Sequence, residues 1–597
     1  MRVEGPPGPS GVTLLAVAAI SAVALVTPTR VVAGDLYEFG NEFEIHADQI
    51  QSNEPLASHS VAGSPTGRFV VVWERDTGDE PIQARMFGPD GDALGPPFDV
   101  SAPSTLGSER ASVAMHDDGS FVVVWDGEEP DSILVRRFDS SGVPLGAQSA
   151  VASSEGVAVP LVGASGDGSF IVVWDGPGVD ESEVYAQRFE SSGAAVGTRF
   201  QVNTYTSGYQ SYGDIAVHDD NSFVITWNSN PIGPSSMLGQ RFDSTGAPAG
   251  TEFLVTSYGT GQGFPSVAPL GAGRFLATYR GPGEQIVSQR YDSDGTPLGG
   301  ELQVSDGDAV YGAGAPDVGV DDDGTFVVAW LEKQSSSKPS TVRARPYDAT
   351  PSPTGAEFQV NTYKHSQSLG GYPSNVSIAS DGAGSMLAVW ESRGQNGTNK
   401  KGVFGQRYRR SSALPSLCGP APEPAVNCHL NAAGKSKLTV RLGPTAAKDK
   451  LGWKFNRGDA TVVGEFGDPV NELHAYSVCI YDGSAAPQPL REMKSVPGGR
   501  CPSKPCWRAK GTVGFSFRDK SNRQDGTSKI SLKGGDDGQT KIALKAGGES
   551  LQPPALPLTL PATVQLLIDD GTTTSCWQTT YSTAKLNDPA RFTGAGP

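Results

Sequence analysis

The chain has 597 residues, of which 75 are glycine, and only 19% are charged. This length is too great for one hydrophobic core, and the composition is typical of turn-rich β structure rather than of helices. The formal net charge of −18 argues against nucleic acid as the partner, because binding phosphates requires a basic surface.

Residues 1–33 have the pattern of a signal peptide. An apolar run over 11–26 is preceded by Arg2 and followed by Val31-Val32-Ala33, which fits cleavage after a small residue. A membrane anchor is the rival interpretation, but the run is short for a full span. No later segment is apolar enough to cross a bilayer. We therefore expect a protein that is secreted or at the cell surface, with no membrane span after cleavage.

One segment type recurs seven times through the next part of the chain. Its clearest copy, residues 117–125, reads Asp-Asp-Gly-Ser-Phe-Val-Val-Val-Trp, and the copies end at Trp73, Trp125, Trp174, Trp227, Tyr279, Trp330 and Trp390. The steps between these aromatic residues are 52, 49, 53, 52, 51 and 60 residues. A repeated unit of strands at such a period indicates a propeller or a stacked array.

Each repeat contains four predicted strands. The first precedes an Asp/Gly turn, the second is the Phe-Val-Val-x-Trp segment, the third ends in Gln-Arg-Phe or Gln-Arg-Tyr, and the fourth resembles Phe-Gln-Val-Asn-Thr. Asp-Gly and Ser-Gly turns favour hairpins because glycine accepts a positive φ. Four antiparallel strands per unit are what a propeller blade needs.

The phase of the repeats favours a closed ring. The last repeat has no fourth strand, whereas residues 41–46, near the N-terminus, resemble the fourth strand at 356–360. An N-terminal strand that completes the last blade removes open sheet edges. We therefore predict an all-β chain with a seven-bladed β-propeller over 35–410, closed by strand 41–46. A solenoid is the less favoured alternative.

The long loops of this propeller provide the candidate ligand-binding residues. The turns after the first and third strands are short, so the longer loops share the opposite face, where function tends to concentrate. Acids directly after the second strand and tyrosines before the first suit a polar, ring-shaped ligand such as a sugar. The alternative is solvated loops with tyrosines packed between blades. The candidates are Glu74, Asp126, Asp175, Tyr205, Tyr209, Tyr212, Tyr258, Tyr311, Tyr363 and Tyr372.

Other recurring residues have simpler structural explanations. The tryptophans are expected to fill the space between blades. The arginines that end the third strands, such as Arg137 and Arg188, are expected to pair with turn acids such as Asp139 and Glu190. The Asp-rich turns could suggest calcium, but the spacing of a calcium loop is not met. The seven histidines are scattered and no catalytic motif is present. We therefore expect no cofactor and no metal.

The C-terminal part differs in composition. Residues 411–430 are rich in Pro and Ala, which is typical of a linker, and the strand signals in 431–597 predict a β-sandwich. From residue 411 onward there are 22 Lys and Arg against 16 Asp and Glu, so the rest of the chain carries the negative charge. All six cysteines also lie here, which predicts a disulfide-stapled exported domain. We expect the pairs Cys501–Cys506, Cys418–Cys428 and Cys479–Cys576.

The Gly-Ser-Phe-Val-Val-x-Trp, Gln-Arg-Phe-Asp-x-x-Gly and Phe-x-Val-Asn-Thr elements resemble repeats of large, mostly uncharacterised secreted bacterial proteins. The resemblance covers about 41–410 and implies a propeller-like exported protein without established catalytic residues. The leading hypothesis is therefore a secreted, non-catalytic protein that binds a glycan or an extracellular protein on the long-loop face. The alternatives are a glycoside hydrolase or lyase that uses loop carboxylates, and a structural surface protein.

Overall fold

The structure is a computed structural model. It describes residues 31–33, 36–50, 59–74, 81–88, 92–102, 108–127, 132–153, 158–178, 181–230, 236–256, 265–281, 285–306, 316–333, 340–350, 352–361, 374–393, 395, 401–410, 417–418, 427–470, 475–483, 489–495, 506–519, 525–548, 551–569 and 574–595. These residues form strands and two short 3-10 turns, which confirms the all-β prediction. Most of the predicted signal peptide, residues 1–30, lies outside them.

Strands β1 (Val31–Ala33) and β2 (Leu36–Ile50) begin the described chain and join a sheet formed much later. Six antiparallel sheets of four strands then follow in chain order. Sheet 1 consists of β3 (Val61–Gly63), β4 (Phe69–Trp73), β5 (Gln83–Phe87) and β6 (Phe98–Asp99). Sheet 2 consists of β7 (Ser108–Met115), β8 (Phe121–Gly127), β9 (Ser132–Phe138) and β10 (Ser149–Ser153).

The next four sheets repeat this order. Sheet 3 consists of β11 (Ala158–Ala164), β12 (Phe170–Pro177), β13 (Ser182–Phe189) and β14 (Ala195–Gln201). Sheet 4 consists of β15 (Tyr209–Val217), β16 (Phe223–Asn230), β17 (Ser236–Phe242) and β18 (Phe253–Leu254). Sheet 5 consists of β19 (Ser266–Pro269), β20 (Phe275–Arg280), β21 (Ile286–Tyr291) and β22 (Leu302–Gln303). Sheet 6 consists of β23 (Asp317–Val320), β24 (Phe326–Lys333), β25 (Ser340–Tyr347) and β26 (Phe358–Gln359).

Sheet 7 combines the two ends of the repeat region. Its own strands are β27 (Ser374–Ser380), β28 (Ser385–Arg393) and β29 (Lys401–Arg410), and β2 and β1 complete it. Strand β2 runs antiparallel to β29, with Phe43 opposite Gly405 and Glu44 opposite Phe404. These are the residues for which the phase of the repeats predicted pairing. Because Val31–Ala33 pairs with β2, the end of the predicted signal peptide is part of this sheet.

The second strand of each sheet is buried on both faces, because each sheet lies between two others. Along β8, Val123 and Trp125 pack against sheet 1, whereas Val122 and Val124 pack against sheet 3. The aromatic residue that ends each copy of the recurring sequence segment is at most 1% exposed in all seven copies. This is the packing role expected for the tryptophans.

The last sheet of the repeat region also contacts the first. A hydrophobic cluster contains Ile45 of β2, Trp73 of sheet 1 and Val389 of sheet 7. Strand β3 contacts both β7 and β27. At Gly63 in β3 a Cβ atom would lie 2.3 Å from the backbone oxygen of Ser380, so only glycine permits this approach.

The arginines near the ends of the third strands do not form the predicted ion pairs with turn acids. Arg137 donates to the backbone oxygen of Ser191 at 2.5 Å, and Arg188 donates to that of Ser244 at 2.6 Å. Both acceptors lie in the turn after the third strand of the following sheet. The predicted ion pairs with Asp139 and Glu190 are therefore replaced by hydrogen bonds that join neighbouring sheets.

Two further sheets form the C-terminal region. The smaller contains β30 (His429–Leu430), β33 (Ala475–Tyr481), β34 (Arg491–Ser495), β39 (Ala562–Asp569) and β40 (Thr574–Tyr581). The larger contains β31 (Lys437–Arg441), β32 (Lys450–Gly458), β35 (Trp507–Ala509), β36 (Gly514–Arg518), β37 (Thr527–Lys533), β38 (Thr540–Gly547), β41 (Ala584–Asp588) and β42 (Arg591–Ala595). The 3-10 turns are Ala446–Lys448 and Val463–Phe466.

The two sheets enclose one core. Trp453 and Phe517 of the larger sheet belong to the same buried cluster as Val478 and Trp577 of the smaller. Strand β30 occupies the end of the predicted linker, so the two-sheet structure begins within 411–430.

Two of the predicted disulfide pairings are wrong. Cys418 is bonded to Cys479, and Cys428 is bonded to Cys576. The expected Cys479–Cys576 bond is excluded by the sheet order β40-β39-β33, because β39 lies between the strands that carry these residues. Two strand spacings, roughly 9–10 Å, exceed the Cα separation that a disulfide can span. Cys506 is also disulfide-bonded, and Cys501 lies outside the described residues.

Sheet 7 is joined to sheet 6 by a buried ion pair. Nε of Arg410, the last residue of β29, lies 2.8 Å from Oδ2 of Asp321, and both side chains are at most 2% exposed. Nη2 of Arg410 also donates to the backbone oxygens of Phe326 and Tyr347. Such a pair is costly to break because the remaining charge stays buried.

We predict that Arg410→Met and Asp321→Asn each lower the free energy of unfolding by about 3–5 kcal/mol. The double variant should lose clearly less than the sum of the two, because neither charge is then left alone. Chemical denaturation of the four proteins measures this coupling. Leu94→Ala, at a side chain that is 53% exposed, is the control and should change little. Additive losses would show that the two residues act independently.

Candidate functional site

The three acids chosen from the sequence all have partners within the protein. Glu74 is buried, and its Oε1 accepts a hydrogen bond from the backbone N–H of Arg110 in sheet 2. The guanidinium of Arg110 lies 3.8 Å from Oδ2 of the partly buried Asp126. Asp175 is 6% exposed and also has an interaction partner. None of these three carboxylates is therefore a free group that faces solvent.

The tyrosines divide into two groups. Tyr205 and Tyr209 are 46% and 54% exposed, which is high for aromatic side chains. Tyr212 lies in β15, but its side chain is outside the described part of the structure. The other candidates also lie outside the described residues: Tyr258, Tyr311, Tyr363 and Tyr372.

Tyr205 lies in the connection between β14 and β15, and Tyr209 is the first residue of β15. We call residues 202–209 the tyrosine loop. Asn203 holds its first half, because Oδ1 accepts from the backbone N–H of Val184 and Nδ2 donates to the backbone oxygen of Tyr205, each at 2.9 Å. Nδ2 of Asn203 also donates to Glu183. The Asn of the recurring Val-Asn-Thr motif thus fixes the start of this loop.

Hydrogen bonds from a buried side chain fix the second half of the tyrosine loop. The buried side chain of Gln210 donates from Nε2 to the backbone oxygen of Ser207 at 3.2 Å. Its Oε1 accepts from Nε1 of Trp227 at 3.0 Å. The backbone N–H of Thr204 donates to Glu252. Two exposed phenol rings are therefore presented on a loop whose backbone is fixed at both ends.

A second group of polar residues, which sequence reasoning missed, lies where the first strands come together. Nε2 of His59, two residues before β3 of sheet 1, lies 2.9 Å from Oδ1 of Asp214 in sheet 4, and Asp317 of sheet 6 also acts on this imidazole. We call His59, Asp214 and Asp317 the axial cluster. These residues are far apart in sequence, and only the arrangement of the sheets brings them together.

The carboxylates of the axial cluster are occupied by the protein itself. Oδ1 of Asp317 accepts from Oγ of Ser266 and Oδ2 accepts from Oγ of Ser377, each at 2.9 Å. Asp214 accepts at Oδ2 from the backbone N–H of Val267 in the next sheet at 2.6 Å. Burial raises the pKa of Asp317, and the nearby His59, followed by the hydrogen bonds that Asp317 accepts, opposes the shift. The axial cluster therefore joins first strands to one another.

His59 is held in its charged form. Burial alone would lower the pKa of its imidazole, but the nearby Asp214 and then Asp317 outweigh burial and raise the pKa to about 9. Its backbone φ of 57° is in the left-handed region, which is uncommon for a residue other than glycine.

The Asp-rich turns need no ligand to explain them. Oδ1 of Asp118 accepts from the backbone N–H of Ser120, and Oδ1 of Asp167 accepts from that of Ser169, each at 2.8 Å. The side-chain hydrogen bond from Ser120 is the largest of the effects that lower the pKa of Asp118. Among the described residues, no group of three or more His, Cys, Asp or Glu side chains is placed to hold a metal ion.

A cavity of about 370 Å³ opens on this short-turn face between sheets 2 and 3. It is lined by His116 and Phe121 of sheet 2 and by Gly166 and Ser191 of sheet 3. A smaller cavity of about 220 Å³ has the corresponding position between sheets 5 and 6. Because the position recurs, we attribute these cavities to the packing of neighbouring sheets.

Comparison with known proteins shows only distant likeness. No protein-family model and no curated protein matches the chain. A solved ulvan lyase, described as a polysaccharide lyase of family PL25, shares 11% identity over 63% of this chain and 98% of its own, with a TM-score of 0.42. A protein of unknown function from Dyadobacter fermentans shares 12% identity over 51% of this chain and 94% of its own, with a TM-score of 0.33.

An α-L-arabinofuranosidase from Fusarium graminearum shares 12% identity over 55% of this chain and 98% of its own, with a TM-score of 0.36. At these scores the likeness carries no argument about function. The function must therefore be argued from the residues of this chain.

We predict that His59 makes stability depend on pH. Because its pKa is raised from 6.5 to about 9, folding favours the protonated form. Its contribution is complete below about pH 6.5 and is lost as the pH rises to about 9, a loss of roughly 2–3 kcal/mol. In the variant His59→Asn, whose new residue tolerates the left-handed backbone, the decline should be absent.

Denaturation of both proteins at pH 6, 7.5 and 9 measures this effect. The difference in unfolding free energy between the native chain and His59→Asn should shrink as the pH rises. An equal difference at all three values would show that folding does not raise the pKa of His59.

Proposed function

We propose that this protein is an exported, non-catalytic binding protein that recognises a glycan through the tyrosine loop. The observation that carries the proposal is the pair of exposed rings of Tyr205 and Tyr209 on a loop held by Asn203 and Gln210. Aromatic faces stack on the apolar faces of sugar rings, and a loop that is ordered before binding loses little entropy.

The proposed scaffold is a seven-bladed propeller closed by β2. Support comes from the four-stranded sheets, from the pairing of β2 with β29, and from the cluster that joins the last sheet to the first. In such a ring the loops before the first strands and after the second strands share one face. Residues 202–209 and the ends of the second strands would therefore lie on that face.

Two observations favour binding over catalysis. Glu74 and Asp126 are engaged with Arg110, and the oxygens of Asp317 accept from two serine hydroxyls. A general acid or nucleophile must reach the substrate, which these groups could do only by giving up their contacts. The glycoside hydrolase or lyase hypothesis therefore has less support among the described residues.

Export and the accessory role of the C-terminal region complete the proposal. Disulfides persist in oxidising compartments, and Cys418–Cys479 and Cys428–Cys576 anchor the linker segment to the smaller sheet at two points. Among the described residues no helix is long and apolar enough to cross a bilayer. We propose that the two-sheet region is a β-sandwich that serves as an attachment module.

We predict that Tyr205→Ala/Tyr209→Ala weakens glycan binding at least roughly tenfold, since each stacking contact contributes on the order of 1 kcal/mol. A glycan array identifies the ligand, and calorimetry of the best hit measures the affinity. Leu94→Ala/Leu145→Ala is the matched control, because these side chains are similarly exposed but follow the short turns. Absence of binding to any glycan, or equal affinity of both variants, would contradict the proposal.

A further inference from the structure

Almost all of the charged residues on the outer face of the larger C-terminal sheet are basic. Side chains alternate along each strand, so Leu451, Trp453 and Phe455 of β32 enter the core while Lys450 and Lys454 point outward. The same alternation in the neighbouring strands produces the basic face, which we define by eleven outward residues. They are Lys437, Arg441, Lys450, Lys454, Arg508, Arg518, Lys529, Lys533, Lys541, Lys545 and Arg591.

A twelfth cation reaches this face from a turn. Lys510 donates from Nζ to Oγ of Ser531, an outward residue of β37, at 2.8 Å. The basic face therefore holds 12 of the 22 Lys and Arg residues that follow residue 410. Seven of the eight strands of this sheet contain no acidic residue, and the eighth, the edge strand β41, contains Asp588 opposite Arg591. The positive charge of this region is thus concentrated on one surface.

The strand register places like charges directly opposite one another. Lys454 lies opposite Lys437, Lys545 opposite Lys529, and Lys541 opposite Lys533. Arg441 lies between Lys450 and Arg591. Directly opposed like charges destabilise a sheet, and a surface built only for solubility would mix both signs. This arrangement reduces stability in the free protein, and a bound polyanion would relieve the repulsion.

The remaining outward residues show which polyanion fits. Between the cations lie small or polar side chains, including Thr439, Gly452, Ser516, Ser531 and Ala543. The aromatic residues of these strands, such as Trp453 and Phe517, enter the core. Single-stranded nucleic acid is usually bound by aromatic stacking, and a membrane by inserted apolar side chains. A flat face with hydroxyl groups among cations suits an extended, hydroxyl-rich polyanion.

We propose that the basic face binds an anionic polysaccharide that carries carboxylate or sulfate groups. The site is separate from the tyrosine loop and does not depend on the function proposed for it. Binding here is driven by the release of counterions, so affinity should fall steeply with salt. Lys510 supports this assignment, because burial and then the nearby Lys529 and Arg518 lower the pKa of its ammonium.

The test measures binding of the full chain to alginate, which carries carboxylates, and to dextran sulfate. We expect both to bind at low salt, neutral dextran not to bind, and affinity to fall as salt rises. Lys454→Glu/Lys545→Glu should lose roughly tenfold or more in affinity and have a smaller salt dependence. The control Lys448→Glu/Arg274→Glu changes net charge equally at exposed sites outside the basic face and should stay within about twofold.

The test variant is designed to remain folded. Each new glutamate lies opposite a lysine, Lys437 or Lys529, so it exchanges a repulsive pair for an attractive one. Its unfolding temperature should equal or exceed that of the native chain, which confirms that lost binding is not lost structure. Dextran sulfate should raise the unfolding temperature of the native chain but not that of the variant.

Three results would overturn the proposal. The first is no binding to either anionic polysaccharide at low salt. The second is equal loss of affinity in the test and control variants, which would assign binding to net charge alone. The third is tighter binding to duplex DNA or to vesicles of anionic phospholipid than to both polysaccharides, which would assign the basic face to another partner.

Discussion

Every sheet in residues 59–410 has two apolar faces, and this constraint determines the rest of the repeat region. Val122 and Val123, neighbours on one strand, pack against different sheets. A row of such sheets would leave an apolar face exposed at each end, whereas the contact of sheet 7 with sheet 1 covers both. Ile45, on the strand borrowed from the N-terminus, lies in that contact. The contact between sheets 7 and 1 therefore buries apolar surface that a row would expose, and the Asp321–Arg410 ion pair joins sheet 7 to sheet 6.

What the sequence predicted well is what depends on neighbours along the chain. Strand alternation, Asp-Gly turns and the recurrence of Trp are local, so four strands per repeat could be read directly. The displaced fourth strand could also be read, because residues 41–46 keep the pattern of 356–360. The arginine partners could not, since a turn acid is close to Arg188 in sequence but the carbonyl of Ser244 is close in space. Contacts between sheets have no signature in the spacing of one repeat.

In the candidate site, too, local features could be predicted from the sequence, whereas contacts between sheets could not. Exposure of Tyr205 and Tyr209 follows from their place in a long loop, whereas the burial of Glu74 follows from contact with the next sheet. His59 was indistinguishable from six other scattered histidines, because its partners Asp214 and Asp317 come from distant repeats. The prediction of the disulfide pairs failed for a related reason. The order of the strands, which places β39 between Cys479 and Cys576, is a property of the folded sheet.

The basic face extends this reasoning to charge. Net charge was known from composition, and the alternation Lys-Ile-Ser-Leu-Lys could be seen in β37, but only the register shows that Lys529 faces Lys545. The two proposed sites then differ in their physics. Stacking on Tyr205 and Tyr209 depends weakly on salt, whereas binding at a surface of twelve cations depends on it strongly. A glycan that binds at both sites would have a higher affinity than at either site alone. Only this increase in affinity would disappear at high salt, because salt weakens binding at the basic face.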